Sequence, residues 1–381
     1  MSLFHRRPAL RWAVPATVAG LVVAGVAVAP LGAAADDGLP PRTAEELLVS
    51  LQQRDPVPLS GTVVTEADLG LPDLPMTGHR RAEMSDLVSG SNTLRVWTDG
   101  ADGSRVALLV DSAEADLVRN GREVWAWSSA DNAVEHWTLP APGARPDAAD
   151  LPFSPADLPA TPEDAARMVL DALDPTTDVS TSGVGTVAGR AVYELVLKPT
   201  QDDTLVASVS IATDAETGVP LRVRVTSTQM PGPAFQVGFR SVDFAMPDPG
   251  VFEFTPPAGA TVTEHDAGSM DTQPGAGSGA GPRAGVGAPE PTVVGTGWST
   301  VLIADTGTDL LGSLQGSSAD SRGGGAEQIA GLLEALPTTS GAWGTGRVLR
   351  GTLFSAILTD DGRIAIGAVP PAVLGDALAE R

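Results

Sequence analysis

The segment Leu94–Leu139, LRVWTDGADGSRVALLVDSAEADLVRNGREVWAWSSADNAVEHWTL, reads as a run of short strands joined by tight polar turns. Asp99-Gly100 and Asp102-Gly103 break the first pair, and Asp131-Asn132 makes the last reversal. Asn120-Gly121 is the strongest hairpin signal in the chain, because a type I′ turn needs positive φ at both central positions. Four of the seven tryptophans fall here: Trp97, Trp125, Trp127 and Trp137. Trp125 and Trp127, two apart, share one face of a strand. A meander with an aromatic face requires a covering layer or a ligand.

Outward from this meander, both flanks carry helix signals. Thr43-Ala44-Glu45-Glu46 opens a helix with Thr43 as cap and Glu46 at the reciprocal capping-box position, and it ends before Asp55-Pro56. Leu59–Leu69 is a first strand, and 70–90 a loop. Pro140–Ala160 reads as a loop, and Thr161-Pro162-Glu163-Asp164 starts a second helix that runs to about Leu173. Strands then return: Ala191–Lys198, Leu205–Ile211, Leu221–Val225 and Phe235–Phe239, with Val251–Phe254 as a closing strand. Leu221, Val223 and Val225 alternate with Arg222, Arg224 and Thr226, so that strand has one wet face. Phe235, Val237 and Phe239 share a face whose direction the sequence leaves open. Roughly ten strands with two helices indicate an α+β domain on one large antiparallel sheet, over 43–262.

Residues 266–291 are rich in Gly, Ala, Pro and Ser without periodicity, which is a linker spanning roughly 25–30 Å on average. A small α+β domain, 292–381, follows. It contains a strand Thr292–Ala304, a helix Glu327–Leu336, a hairpin of Val348–Leu358 with Ile364–Val369 around Asp360-Asp361-Gly362, and a last helix Pro370–Ala379.

Net charge is −23 over 381 residues, which speaks against a general nucleic-acid partner, since no basic stripe is present to neutralise phosphates. Without cysteine there is no disulfide framework, thiolate metal site or attachment point for lipid. Arg6, Arg7 and Arg11, then the uncharged run Ala13–Ala29 and an A-x-A pattern at Ala33 and Ala35, make 1–35 a secretory signal. The same run approaches the ~20 residues that span a bilayer, so an uncleaved membrane anchor is the alternative. Either way the expected location is the extracytoplasmic cell envelope.

Candidates for chemistry are few. The histidines, His5, His79, His136 and His265, are scattered, and the carboxylates show no metal-ligand spacing, so neither a metal nor a cofactor is expected. Gly183-Val184-Gly185 precedes a strand rather than the helix a nucleotide loop needs. Ile303-Ala304-Asp305-Thr306-Gly307 resembles the aspartic-protease signature, with Val373-Leu374-Gly375 resembling its supporting element. That chemistry needs two aspartates sharing a proton, hence a homodimer built on Asp305. A strand running into an Asx-type turn accounts for the same letters. A monomer and a non-enzyme are the expectation.

Gly121-Arg122-Glu123-Val124-Trp125-Ala126-Trp127, a turn, then Ala133-Val134 resembles a hairpin of the LolA-like lipoprotein-carrier superfamily, which includes LolB and RseB/MucB types. The order helix, meander, helix, meander over ~43–262 is similar too. The resemblance implies an open half-barrel whose apolar side takes lipid or lipoprotein acyl chains, with helices as a lid. It places Trp97, Val106, Leu108, Trp125, Trp127, Trp137, Leu195 and Val223 at the ligand. An acyl chain of ~15 methylenes is worth roughly 12 kcal/mol of burial, so its transport through water demands such a pocket. The alternative within the resemblance is an RseB/MucB-like lipid-sensing regulator that meets an anti-sigma factor or other membrane protein through 292–381.

Overall fold

The structure is a computed structural model that describes residues 39–70, 90–110, 113–139, 160–266, 291–305, 333 and 335–380. The segment read as a secretory signal, those read as loops at 71–89 and 140–159, nearly all of that read as a linker and most of the expected helix Glu327–Leu336 lie outside the described residues.

Helix α1 (Ala44–Gln53) begins at the expected capping box: the Glu46 amide donates to Thr43 Oγ1 at 3.2 Å and the Thr43 amide to Glu46 Oε2 at 2.8 Å. Strand β1 (Leu59–Ala67) precedes a meander of β2 (Gly90–Thr98), β3 (Gly103–Val110), β4 (Ala113–Asn120), β5 (Glu123–Ser128) and β6 (Ala133–Thr138). Helix α2 (Pro162–Asp171) leads to a second meander, β7 (Thr177–Val187), β8 (Arg190–Pro199), β9 (Val206–Asp214), β10 (Pro220–Ser227) and β11 (Pro233–Asp243). A last strand, β12 (Thr261–Asp266), completes one open sheet of order β12-β6-β5-β4-β3-β2-β1-β11-β10-β9-β8-β7. The meanders wind away from a central β1/β11 seam, and β12 and β7 remain as edges. This is an α+β open half-barrel.

Two local expectations change. Asn120 pairs with Glu123, so the turn residues are Gly121 and Arg122, and only Gly121 has positive φ (62°). Gly at the first central position is the arrangement of a type II′ reversal, not type I′. Val251–Phe254 is not a strand: Pro249–Phe252 is a 3-10 turn capped by the Asp248 carboxylate. It belongs to a strap, residues 244–260, that delivers β12 to the edge of the sheet, parallel to β6.

The helices define an inner face. Arg42 stands 5.0 Å over the ring of Tyr193, which places α1 on the Tyr193 side, and an Arg54–Glu163 ion pair at 2.5 Å ties α2 to α1. Cross-strand register makes that face continuous. One row runs Thr65, Val237, Val223, Ile211, Leu195, and another runs Phe239, Val63, Leu94, Leu108, Ala115. All but Ala115 are buried.

The C-terminal lobe has a six-stranded antiparallel sheet, β13 (Thr292–Val294), β14 (Val301–Asp305), β15 (Thr338–Gly341), β16 (Gly344–Arg350), β17 (Ser355–Thr359) and β18 (Arg363–Gly367), packed on α3 (Pro371–Ala379). Its core is Val301, Ile303, Val348, Ile357, Leu374 and their neighbours. Thr292–Ala304 is two strands rather than one, because Gly295 (φ 80°) and Gly297 (φ 60°) turn the chain between them. Val348–Leu358 is likewise broken: the chain reverses at 351–354, where the Gly351 amide donates to the Phe354 carbonyl at 2.9 Å.

The lobes are bonded directly. Thr204 Oγ1 and the Leu205 amide donate to the Ala368 carbonyl, Ser227 Oγ to that of Thr352, and Trp298 Nε1 to Thr177 Oγ1 at 2.8 Å.

Candidate functional site

Register divides the eight residues proposed as a lining. Val106, Leu108, Trp137, Leu195 and Val223 fall on the inner face, where Leu108, Leu195 and Val223 are fully buried. Trp97, Trp125 and Trp127 alternate onto the outer face. There one row reads Ser60, Trp97, Arg105, Val118, Trp125, His136, Glu264 across seven strands. No single concave surface collects all eight.

The outer aromatic row has its own cover. Phe252 of the strap is buried, Phe254 lies 5.6 Å from Trp125, and Arg105 Nη1 reaches the Val251 carbonyl at 3.4 Å. Arg105 also stands 5.8 Å over Trp97 and pairs with Asp116, whose side chain is 3% exposed. The three tryptophans are half-buried, and the strap packs on Trp125 through Phe254. On the inner face, Trp137 stacks on His265 with ring centroids 4.9 Å apart.

Phe235, Val237 and Phe239, whose direction the sequence left open, pair with Ala67, Thr65 and Val63 and thereby join the inner face. The signal that could have placed them is this pairing, which bridges the two meanders and leaves no local trace in the letters.

The outer face of the second meander is polar. Arg224 donates to Gln236 at 2.7 Å, Gln236 to Glu66 at 3.3 Å, and Arg222 faces Glu194 at 3.7 Å. At the β9–β10 turn, the Asp214 carboxylate receives Arg190, the Glu216 and Thr217 amides and the Thr217 hydroxyl. Burial acts to raise the Asp214 carboxyl, but the bonds from Arg190 and Thr217 outweigh it and hold it below the usual carboxylate range.

Of the pockets formed by described residues, the two best defined lie away from the eight. One, of about 540 Å³, opens between α1 and the β9–β10 turn, with Arg42, Glu46, Val49, Gln53 and Thr217 among its lining. The other, of about 410 Å³, is a groove on the C-terminal lobe over Trp298, Leu302, Phe354 and Ile366.

Asp305 ends β14, exposed and paired in register with Arg363. Val373-Leu374-Gly375 lies within α3, with Leu374 in the lobe's core. Among the described residues no group of three or more His, Cys, Asp or Glu side chains is placed to hold a metal ion, and no helix is long and apolar enough to cross a membrane.

No family model and no curated protein matches the chain. Solved structures do. The Pseudomonas aeruginosa MucA/MucB complex is similar at 16% identity and a TM-score of 0.40, over 88% of this chain and 95% of that one. A LolA superfamily protein from Nitrosomonas europaea is similar at 10% and 0.21 over 56% and 99%, and LprF from Mycobacterium bovis at 11% and 0.29 over 57% and 97%. Identities and scores this low leave the function to be read from the site itself.

Proposed function

We propose that this chain is a non-enzymatic cell-envelope protein, exported by its first 35 residues, that holds a lipid or lipoprotein acyl chain against the inner face of the half-barrel. The observation that carries this reading is the pair of buried, largely apolar cross-strand rows on the inner face of an open sheet, the side that also carries two helices of ten residues each. Val106, Leu108, Trp137, Leu195 and Val223 line it, joined by Phe235, Val237 and Phe239. Trp97, Trp125 and Trp127 lie on the opposite face and are left out of the proposed lining. At ~0.8 kcal/mol per methylene, displacing a lid from such a surface with an acyl chain is within reach of the chain's own burial energy.

The test is native mass spectrometry and lipid extraction on protein purified without detergent, with uptake of a fluorescent fatty acid as second readout. Val106→Glu, on the inner face, is expected to abolish uptake, and Trp127→Leu, on the outer face, to leave it intact. An empty wild-type protein that also takes up no probe overturns the reading.

A second reading has its own observation. The rim of the large sheet donates directly to the C-terminal lobe through Thr204, Leu205 and Ser227. In a lipid-sensing regulator, movement of that rim would reach a membrane-protein partner held by 292–381. Capture of one specific membrane protein by the full chain, altered by added fatty acid, supports the regulator. Asp305→Ala is expected to change neither readout.

A further inference from the structure

Strand β12 is the one parallel addition to a sheet that is otherwise antiparallel among the described residues, and it is the last strand of that sheet in the sequence. Its side-chain anchorage on the outer face runs through one histidine. His136 of β6 sits directly opposite Glu264 of β12, with Nδ1 2.5 Å from Glu264 Oε2. Its other nitrogen, Nε2, is 2.5 Å from Glu123 Oε2 of β5, and Thr138 Oγ1 donates to the same oxygen at 3.3 Å. The ring lies flat on Trp125, centroids 3.5 Å apart and planes within 7°, and Phe254 of the strap packs on the same tryptophan. Only 13% of the His136 side chain is exposed.

Ionised carboxylates only accept hydrogen bonds, so an imidazole that serves one at each nitrogen carries a proton on both. Loss of either proton turns a lone pair toward an oxygen and leaves two like charges facing each other across the ring. Among the described residues no other cation is paired with either carboxylate. Glu135 of β6 and His265 of β12 alternate onto the inner face, and Asp116 of β4 is taken by Arg105. Glu253 of the strap is exposed and adds only negative charge.

We propose that His136 is a pH-responsive latch that fastens β12, and with it the strap over Trp125, to the edge of the large sheet. The latched state holds while the ring carries both protons, and it loosens as the pH rises and one of them is lost. Opening bares the outer face around Trp125. The device is independent of whether the inner face holds lipid.

Hydrogen exchange of the full chain at pH 5.5 and pH 8.0, corrected for the pH dependence of intrinsic exchange, reads the latch at residues 261–266, with Val206–Asp214 as internal reference. Protection of β12 is expected to fall roughly tenfold or more at the higher pH, the size of a lost charge-assisted bond, while the reference is unchanged. Glu264→Gln, at an exposed position, supplies an amide that accepts from the ring or donates to it, so the step is expected to vanish. His136→Gln is expected to remove it too. Equal protection at the two pH values in the wild type, or a step that survives in Glu264→Gln, overturns the proposal.

Discussion

The two meanders are built to the same plan yet are stabilised differently. In β2–β6 the outer face is covered in part by the strap, where Phe252 is buried and Phe254 packs on Trp125, while the inner face holds the buried Leu94, Leu108 and Val124. In β7–β11 the outer face carries Arg222, Arg224, Gln236 and Glu194, and order is enforced at the turns instead, above all by Asp214. The aromatic residues are thus divided between the faces: Trp97, Trp125 and Trp127 on the outer, Trp137, Phe235 and Phe239 on the inner. The half without tryptophans supplies most of the continuous apolar inner face.

That contrast can be broken most forcefully at the strap. Phe252→Ala is expected to cost about 3–5 kcal/mol. The loss should appear in urea denaturation followed by tryptophan emission, with amide exchange rising first in β3–β6 and last in β8–β10. Uniform exchange through both halves would show that they are not separately stabilised.

On the other side, Asp214→Asn strands Arg190 beside a neutral amide and should cost about 2–3 kcal/mol, less than a fully buried pair because Arg190 is 28% exposed. Because the folded carboxyl is held below its unfolded value, its contribution is complete above about pH 4. It is lost as the pH falls through the lower folded value. The variant should thus lose part of the acid-side slope of stability against pH, measured by denaturation at pH 2.5–6.

Thr43→Ala removes the capping box of α1 and should cost about 1 kcal/mol in thermal unfolding, with faster exchange confined to the helix's first turn. The smallest effect is a gain. Ala188 has φ 51° beside Gly189 at 77° in the two-residue β7–β8 turn, and Ala188→Asn should stabilise by about 0.5–1 kcal/mol, visible as a higher Tm.

What the letters revealed was local. Capping at Thr43 and Thr161, the strand alternation, the reversal at Asp131-Asn132 and the Asp360–Gly362 hairpin all depend on neighbours within a few positions, and each is where the pattern put it. What stayed hidden depends on distant partners. Thr261–Asp266 has too few apolar residues to announce a strand, and it forms one because the β6 edge is waiting beside it. The facing of Trp97, Trp125 and Trp127 follows from a strap more than a hundred residues on, so the same alternation was compatible with either side. In the C-terminal lobe, Gly351 breaks a run that β-branched residues on both sides made look continuous.

The central seam carries a consequence for how the molecule is made. Every neighbour within each meander is a local hairpin, but β1 pairs Val63 with Phe239, and β12 reaches back to β6. Loop-closure entropy sets such long-range pairings late in folding and slows them. Until β11 has been synthesised, β1 offers an open hydrogen-bonding edge beside a bare apolar face, the combination most prone to pair with another chain. On the proposed export route, that edge would need guarding by something other than the chain itself.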